Sequence, residues 1–365
     1  MNENADTEHT SFRDEYGTYI VRKIVLIVLC IILSIFLLGF SIYIGGSDID
    51  FARVYSLLID HLMGHKYETG TIDFIDDYVV WNLRLPRALI GIIAGAGLAA
   101  GGAVMQSVMK NPLADPYTTG ISSGACFGMA IAIIVGLEIG SGTILGDTGG
   151  VLNAFIFAVV PMLLIIVLNQ RIGASPTTLI LAGVAISYIF NSLTTILMMM
   201  TDSETLANVY RWQIGSLSNN LTWNDFPILA SVNIVGSIAL IMLSSKLNVL
   251  TLGDASAKSL GMDADMMRVV CLFIISLMVA SIVSYCGIIG FVGLVVPHII
   301  RILIDSDNKF VIPASMALGA VFLISADIAA RLISPLDAIP VGVILSFVGS
   351  PIFLYLIIRQ KKEVW

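Results

Sequence analysis

The sequence predicts an all-α membrane protein with ten transmembrane helices. Three observations carry this. Of 365 residues, 57% are hydrophobic and 12% charged, with a mean hydropathy of +0.93. The apolar residues fall in runs close to the roughly 20 that a helix needs to cross hydrocarbon. From Arg84 to Pro116 the chain reads RLPRALIGIIAGAGLAAGGAVMQSVMKNPLADP, rich in the small residues that let backbones approach closely in a bilayer. Little mass remains for a soluble domain. Residues 1–20 read as an acidic cytoplasmic tail and 21–365 as one ten-helix transmembrane domain.

Taken in order, the first span is expected at 24–44. Arg22 and Lys23 precede it and place the N-terminus in the cytoplasm. The run is too long for a signal-peptide core and has no small-residue cleavage site, so it is expected to be retained. An acidic outer loop, 45–79, follows. Arg84 and Arg87 stand at the mouth of the second span, 88–109, which ends in the turn Asn111–Pro116. Further spans are expected at 118–137, 151–169, 177–200 and 226–245. Residues 269–304 are almost continuously apolar, and as one helix they would run about 54 Å, far beyond a ~30 Å hydrocarbon core. A break is therefore expected at Tyr285-Cys286-Gly287, dividing the run into spans 267–285 and 287–304. An interruption at that depth needs protein or a water-filled path over its freed backbone. Spans 311–330 and 339–358 complete the set.

An even count returns the C-terminus, with Lys361 and Lys362, to the cytoplasm. The outer side then holds only Arg53, Lys66, Arg84, Arg87, Arg211 and Arg331 of the basic residues, as the positive-inside rule requires of a multi-pass protein of the cell membrane. A glycine-rich helix ending in a proline-containing turn occurs at 91–116 and again at 287–308, compatible with two related halves.

The longest cytoplasmic connection is the loop 246–268. Thr251 and Asp254 have capping-box spacing for a short helix, Gly261 can close it, and Asp263 can cap the next span. Such a helix offers a docking surface to a cytosolic partner. The nearest thing to a phosphate loop, Gly253 to Ser259, lacks the glycine before Lys258. Any nucleotide must therefore be bound by another chain. His61 and His65 stand four apart but lack a third ligand, so surface positions are expected rather than a metal site. Ser175, Pro176, Thr177 and Thr178 read either as a helix cap with proline in the first turn or as a narrow polar gate. Met198, Met199 and Met200 are expected to pack. Cys30, Cys126, Cys271 and Cys286 fall in apolar runs and read as small core residues. Arg84, Arg87 and Arg331 share the outer surface. They either anchor at the interface by snorkelling or form bidentate pairs with an acidic partner. An ion-coupled transporter would need ionisable groups within its spans, and only Glu138, Asp327 and a few residues at span boundaries come near, with no relay among them. No nucleic-acid partner, cofactor or metal is expected.

Eight motifs then occur in order: RLPR (84–87), GAVMQ (102–106), NPLADP (111–116), LAGVA (181–185), LGDASAKSLGM (252–262), GFVGLVVPHIIR (290–301), ADIAAR (326–331) and IPVGVILSFVGSPIFLYLI (339–357). Together they resemble the FecCD-type permeases of ABC importers. The resemblance implies the type II importer fold and a homodimer of this chain in the lipid bilayer. It also implies a cytosolic ABC ATPase dimer below and an extracytoplasmic substrate-binding protein above. It implies that Arg84, Arg87 and Arg331 pair with glutamates of the binding protein. Leu252, Gly253, Asp254, Ala257, Leu260 and Gly261 would couple to the ATPase. Ser175, Pro176, Thr177 and Thr178 would form the cytoplasmic gate, with Pro176 and Thr177 replacing a more hydroxylic pattern. The cargo implied first is a ferric siderophore, with corrinoids, haem and molybdate behind it.

Overall fold

A computed structural model describes residues 3–47, 49–139, 150–172, 175–217, 221–334 and 339–359. Lys361 and Lys362 lie outside the described residues. The acidic N-terminal segment is helical and continues into the first span as α1 (Glu3–Tyr43). Beyond it come α2 (Phe51–Leu62), α3 (Ile72–Tyr78), α4 (Leu85–Met109), α5 (Ile121–Ala130), α6 (Val151–Ile172), α7 (Pro176–Met199) and α8 (Ser203–Gln213). The chain continues through α9 (Phe226–Met242), α10 (Ser244–Thr251), α11 (Asp254–Ser259), α12 (Ala264–Cys286), α13 (Val292–Ile304), α14 (Asn308–Ile333) and α15 (Val341–Arg359). No strand occurs among the described residues.

Every expected span coincides with a helix, but the helices differ in reach. Among the described residues six are long and apolar enough to cross a membrane alone, and α9 with α10, bent by 55° at Leu243, would make a seventh. Ile121–Val135, Val292–Ile304 and Val341–Leu356 are shorter apolar helices. The second span differs most from expectation. Its helix does not begin beside Arg84 but runs unbroken from Ile72 to Met109, because α3 passes through the π-helical turns Val79–Arg84 straight into α4. Pro86 has no amide to donate back into this helix, and the Trp81 carbonyl five residues before it accepts instead from the Trp223 indole at 2.8 Å.

Helix α4 is the centre of the packing, against α14, α13, α12 and α9. Its small residues permit this. Gly102 lies against the backbone of Gly293 in α13, and a Cβ there would overlap the Gly293 carbonyl. Gly95 meets Gly319 of α14 in the same way. The two segments read as a weak repeat, 91–116 and 287–308, thus pack on each other.

The break after Cys286 falls where helix length required it. Gly287 leaves the helix with φ +71°, and residues 287–291 run non-helically to α13. Protein covers the freed backbone: the Ser216 amide donates to the Cys286 carbonyl at 2.8 Å, and Gly215 packs against the backbone of Ile288. All four cysteines are buried. Met199 and Met200 correct the packing expectation: both lie at the end of α7 and project from this chain, 82% and 78% exposed.

Adjacent glycines of α4 give a direct test. Gly102→Ala is expected to abolish monodisperse folded protein in detergent, because its Cβ meets backbone that cannot yield. Gly101→Ala, whose Cβ would sit 3.5 Å from Ile275 and Val279, should be tolerated. It should also gain up to about 1 kcal/mol of helix propensity. Size-exclusion profiles and thermal melts check both.

Candidate functional site

Two clusters at opposite ends of α4 bring the candidate residues together. At the end near α2, the C-terminus of α1 leaves carbonyls without helical partners. Arginines from two other helices supply them. Arg84 donates to the carbonyls of Ile42 (3.2 Å), Tyr43 (2.7 Å) and Ser47 (2.7 Å), and to the Ser47 hydroxyl (3.1 Å). Arg331 of α14 donates to the carbonyls of Ser41 (2.8 Å) and Ile44 (2.5 Å) and to the Ser41 hydroxyl. Its guanidinium also pairs with Asp327 one turn back, at 2.7 Å. Arg87 pairs with the other oxygen of that carboxylate at 2.6 Å.

The guanidiniums of Arg84 and Arg331 are therefore held inside the protein, 5% and 6% exposed, and clasp the end of α1 between α4 and α14. Arg87 keeps the most exposure of the three side chains. Asp327, at 1% exposure, is neutralised by two arginines, and Glu138 is exposed in a loop. Neither is placed as an intramembrane ion relay would need. His61 departs from the surface expectation. Its ring stacks on Trp81 at 4.0 Å and its Nδ1 lies 3.0 Å from both oxygens of Asp77. His65 does not share its face, because α2 stops at Leu62.

At the other end of α4 stands the short helix α11. The expected capping box does not form. Thr251 is the last residue of α10, and its hydroxyl donates backward to the Asn248 carbonyl. Gly253, at φ +114°, separates the two helices and leaves Asp254 as the first residue of α11 rather than a partner of Thr251. Asp254 instead accepts from Lys110 at the end of α4 (2.8 Å) and from Arg268 of α12 (2.5 Å). Arg268 is fully buried and also pairs with Asp265 at 2.9 Å. Hydrogen bonds first from Arg268 and then from Lys110 hold the Asp254 carboxyl at about 2. A depressed pKa contributes stability above the ordinary carboxylate range and loses it only as pH falls toward the folded value. The link is therefore intact at neutral pH.

Gly261, at φ +78°, closes α11 as expected, and Asp263 caps α12 by accepting from the amides of Asp265 and Met266. Ala257 is buried and seats α11, while Leu252 and Leu260 project at 68% and 67% exposure. An open groove of about 610 Å³ flanks this helix, lined among others by Lys246, Leu260, Met262 and Met266. A second polar chain lies behind it. Asn248 of α10 donates to Asp307 (2.6 Å) and accepts from the Asn308 amide (2.9 Å). Asn308 accepts from Ser107 (2.8 Å), and Arg301 of α13 donates to the Ser107 hydroxyl (2.9 Å) and the Ala103 carbonyl (2.8 Å). Sequence reading did not assign these residues to the site. The signal was present in charged or amide side chains placed where a span meets its turn.

Ser175 caps α7, accepting from the Thr178 amide at 3.3 Å, with Pro176 in the first turn. Ser175, Thr177 and Thr178 are exposed.

Residues 28–359 match the family described as the FecCD transport family. The chain is 32% identical to the Fe(3+)-citrate import system permease protein of Bacillus subtilis, over 92% of this chain and 94% of that one. It is 34% identical to the vitamin B12 import system permease protein of Vibrio cholerae, over 79% and 85%. A solved ABC transporter assigned to the metal-chelate type, in an inward-facing conformation, superposes with a TM-score of 0.78. It is 28% identical, over 92% of this chain and 99% of that one.

The clasp predicts unequal costs for the three arginines. Arg84→Gln and Arg331→Gln each leave buried carbonyls without donors and should each destabilise by about 3 kcal/mol. Arg87→Gln leaves Asp327 paired with Arg331 and should cost less. Thermal unfolding of the three variants in one detergent checks the order.

Proposed function

This chain belongs to the FecCD transport family, and on that premise we propose that it is the membrane-spanning permease subunit of an ABC importer for a metal chelate. A permease of this family is a transport subunit and not an enzyme. ATP is hydrolysed on a separate pair of cytosolic ATPase chains, and two copies of this chain form the path between them and an extracytoplasmic binding protein. The N- and C-termini are cytoplasmic, which places α11 inside and α2 outside. The observation that carries this reading is the form of α11. Leu252 and Leu260, one on either side of it in the chain, project outward while Asp254 ties it to α4 and α12. Exposed apolar anchors flanking a helix so fastened suit a docking partner that pushes.

In this reading ATP closes the ATPase dimer, and α11 passes the displacement to α4 through Lys110 and to α12 through Arg268. The glycine-packed group of α4, α12, α13 and α14 then moves as one body. The gate role of Ser175–Thr178 sits on α7, outside that group, and rests on its exposed hydroxyls. A ferric siderophore is the first expected cargo. Corrinoid, haem and molybdate are the alternatives that the same fold accommodates.

Co-reconstitution with the ATPase and binding protein tests the reading. Vesicles should accumulate radiolabelled chelate only with ATP. Gly261→Val and Leu260→Asp should abolish binding-protein stimulation of ATP hydrolysis while the chain still inserts. Uptake driven by an ion gradient without the ATPase would instead establish a secondary transporter.

Docking of the binding protein falls chiefly on Arg87 in this reading, since Arg84 and Arg331 are engaged by α1. Arg87→Gln is expected to slow association and flatten its salt dependence, measured by surface plasmon resonance at two ionic strengths. An unchanged on-rate at low salt would remove Arg87 from the interface.

A further inference from the structure

Helix α2 has three faces. Val54 and Leu57 are fully buried, and His61 on the same side stacks on Trp81. A second strip is polar: Arg53 pairs with Asp73, Asp60 accepts from the Tyr67 hydroxyl at 2.7 Å, and Ser56 lies between them. The third face is an apolar stripe, Phe51, Tyr55, Leu58, Ile59 and Leu62, at the i, i+4, i+7, i+8 and i+11 spacing of one helical side. Phe51, Ile59 and Leu62 are 54%, 57% and 73% exposed, so little of the described chain covers them.

The stripe is continuous with a surface of α1. Phe36, Phe40 and Tyr43 follow one another along α1, with ring centroids 6.5 and 6.4 Å apart, and all three are exposed. The Tyr43 ring meets Phe51 edge-on at 5.4 Å, and Phe51 meets Tyr55 at 4.8 Å. The aromatic row therefore leaves the bare side of a membrane-spanning helix and turns onto α2 without a gap. A bare apolar side of a spanning helix faces acyl chains, and aromatic rings collect where such a helix meets the headgroups. An apolar stripe beside a polar strip is the pattern of a helix lying in the interfacial plane.

We propose that α2 is an interfacial anchor in the outer leaflet, with its Phe51–Leu62 stripe in lipid and its Arg53–Ser56–Asp60 strip in water. This rests on the membrane placement and orientation given under Proposed function. The anchor holds the clasped end of α1 at a fixed depth and fixes the height at which Arg87 meets the outer solution.

Spin labels test depth directly. The four native cysteines are buried, so label goes to an introduced thiol. Ile59→Cys, Leu62→Cys, Ser56→Cys and Phe36→Cys are each made in the full chain and reconstituted in phosphatidylethanolamine–phosphatidylglycerol vesicles. Collision with oxygen and with a water-soluble nickel chelate is then read by power saturation. Labels at 59 and 62 should favour oxygen several-fold and the label at 56 should favour nickel. Nickel accessibility at 59 and 62 would put the stripe in water and overturn the anchor. Shielding from both reagents would show a protein on the stripe, a second copy or a partner, and overturn it equally. Phe36→Cys separates the two levels: nickel access there would overturn the membrane placement itself, whereas oxygen access there with failure at 59 and 62 would sink the anchor alone. Should a labelled variant not insert, hydroxyl-radical footprinting of the unmodified chain reads the same face. Phe51 and Leu62 should be protected in vesicles while His65 is modified, and equal modification of all three would overturn the proposal.

Discussion

The close approach of α4 to its neighbours is the constraint on which the rest depends. A helix buried on nearly every side must present almost no side chain where it crosses others, and Gly95 and Gly102 meet the backbones of Gly319 and Gly293. In a bilayer there is little hydrophobic gain from moving helices out of lipid, so dispersion contacts between backbones provide the association. That contact sets where α13 can start, and therefore where the non-helical segment 287–291 must run. It also fixes the two ends of α4, from which Arg84 and Arg87 reach one surface and Lys110 the other.

The arginines at the first of those ends show how one chemistry serves two purposes. A guanidinium carries several donors in a planar fork, enough to close several orphan carbonyls at once. Arg84 and Arg331 use that capacity on α1, and Asp327 balances Arg331 and Arg87 together. Three residues that look equivalent in sequence thus carry unequal structural duties, and Arg87 keeps the most exposure.

Much of the architecture was legible in the sequence because membranes impose coarse rules. Run length located a helix at each apolar run, six of them long enough to cross alone among the described residues, and the impossibility of a 36-residue crossing located the break at Gly287. The Gly261 and Asp263 caps follow from local backbone chemistry and were readable for the same reason. What was not legible depends on which side chain meets which. The continuity of α3 into α4 rests on π-helical turns that no spacing rule marks. Thr251 has the right offset to cap α11, but the chain leaves α10 through Gly253, and Asp254 finds cations from α4 and α12 instead. His61 looked like a surface residue because nothing local announces a stacked tryptophan twenty positions later.

The central claim is that α11 is fixed to the α4 and α12 framework, so that force applied to it moves that framework whole. Two buried or half-buried cations converge on one carboxylate, and a second chain of amides and hydroxyls runs from α10 to α13 and α14. Distance measurement within one chain tests this most directly. Spin labels at Ser256 in α11 and Leu332 at the far end of α14 would be followed by pulsed dipolar spectroscopy in the assembled transporter, without nucleotide and with ATP trapped. The account predicts an unchanged distance within the chain while distances to the surrounding subunits shift. A change in the Ser256–Leu332 distance on nucleotide binding would contradict it, showing that α11 moves against the helices it is tied to.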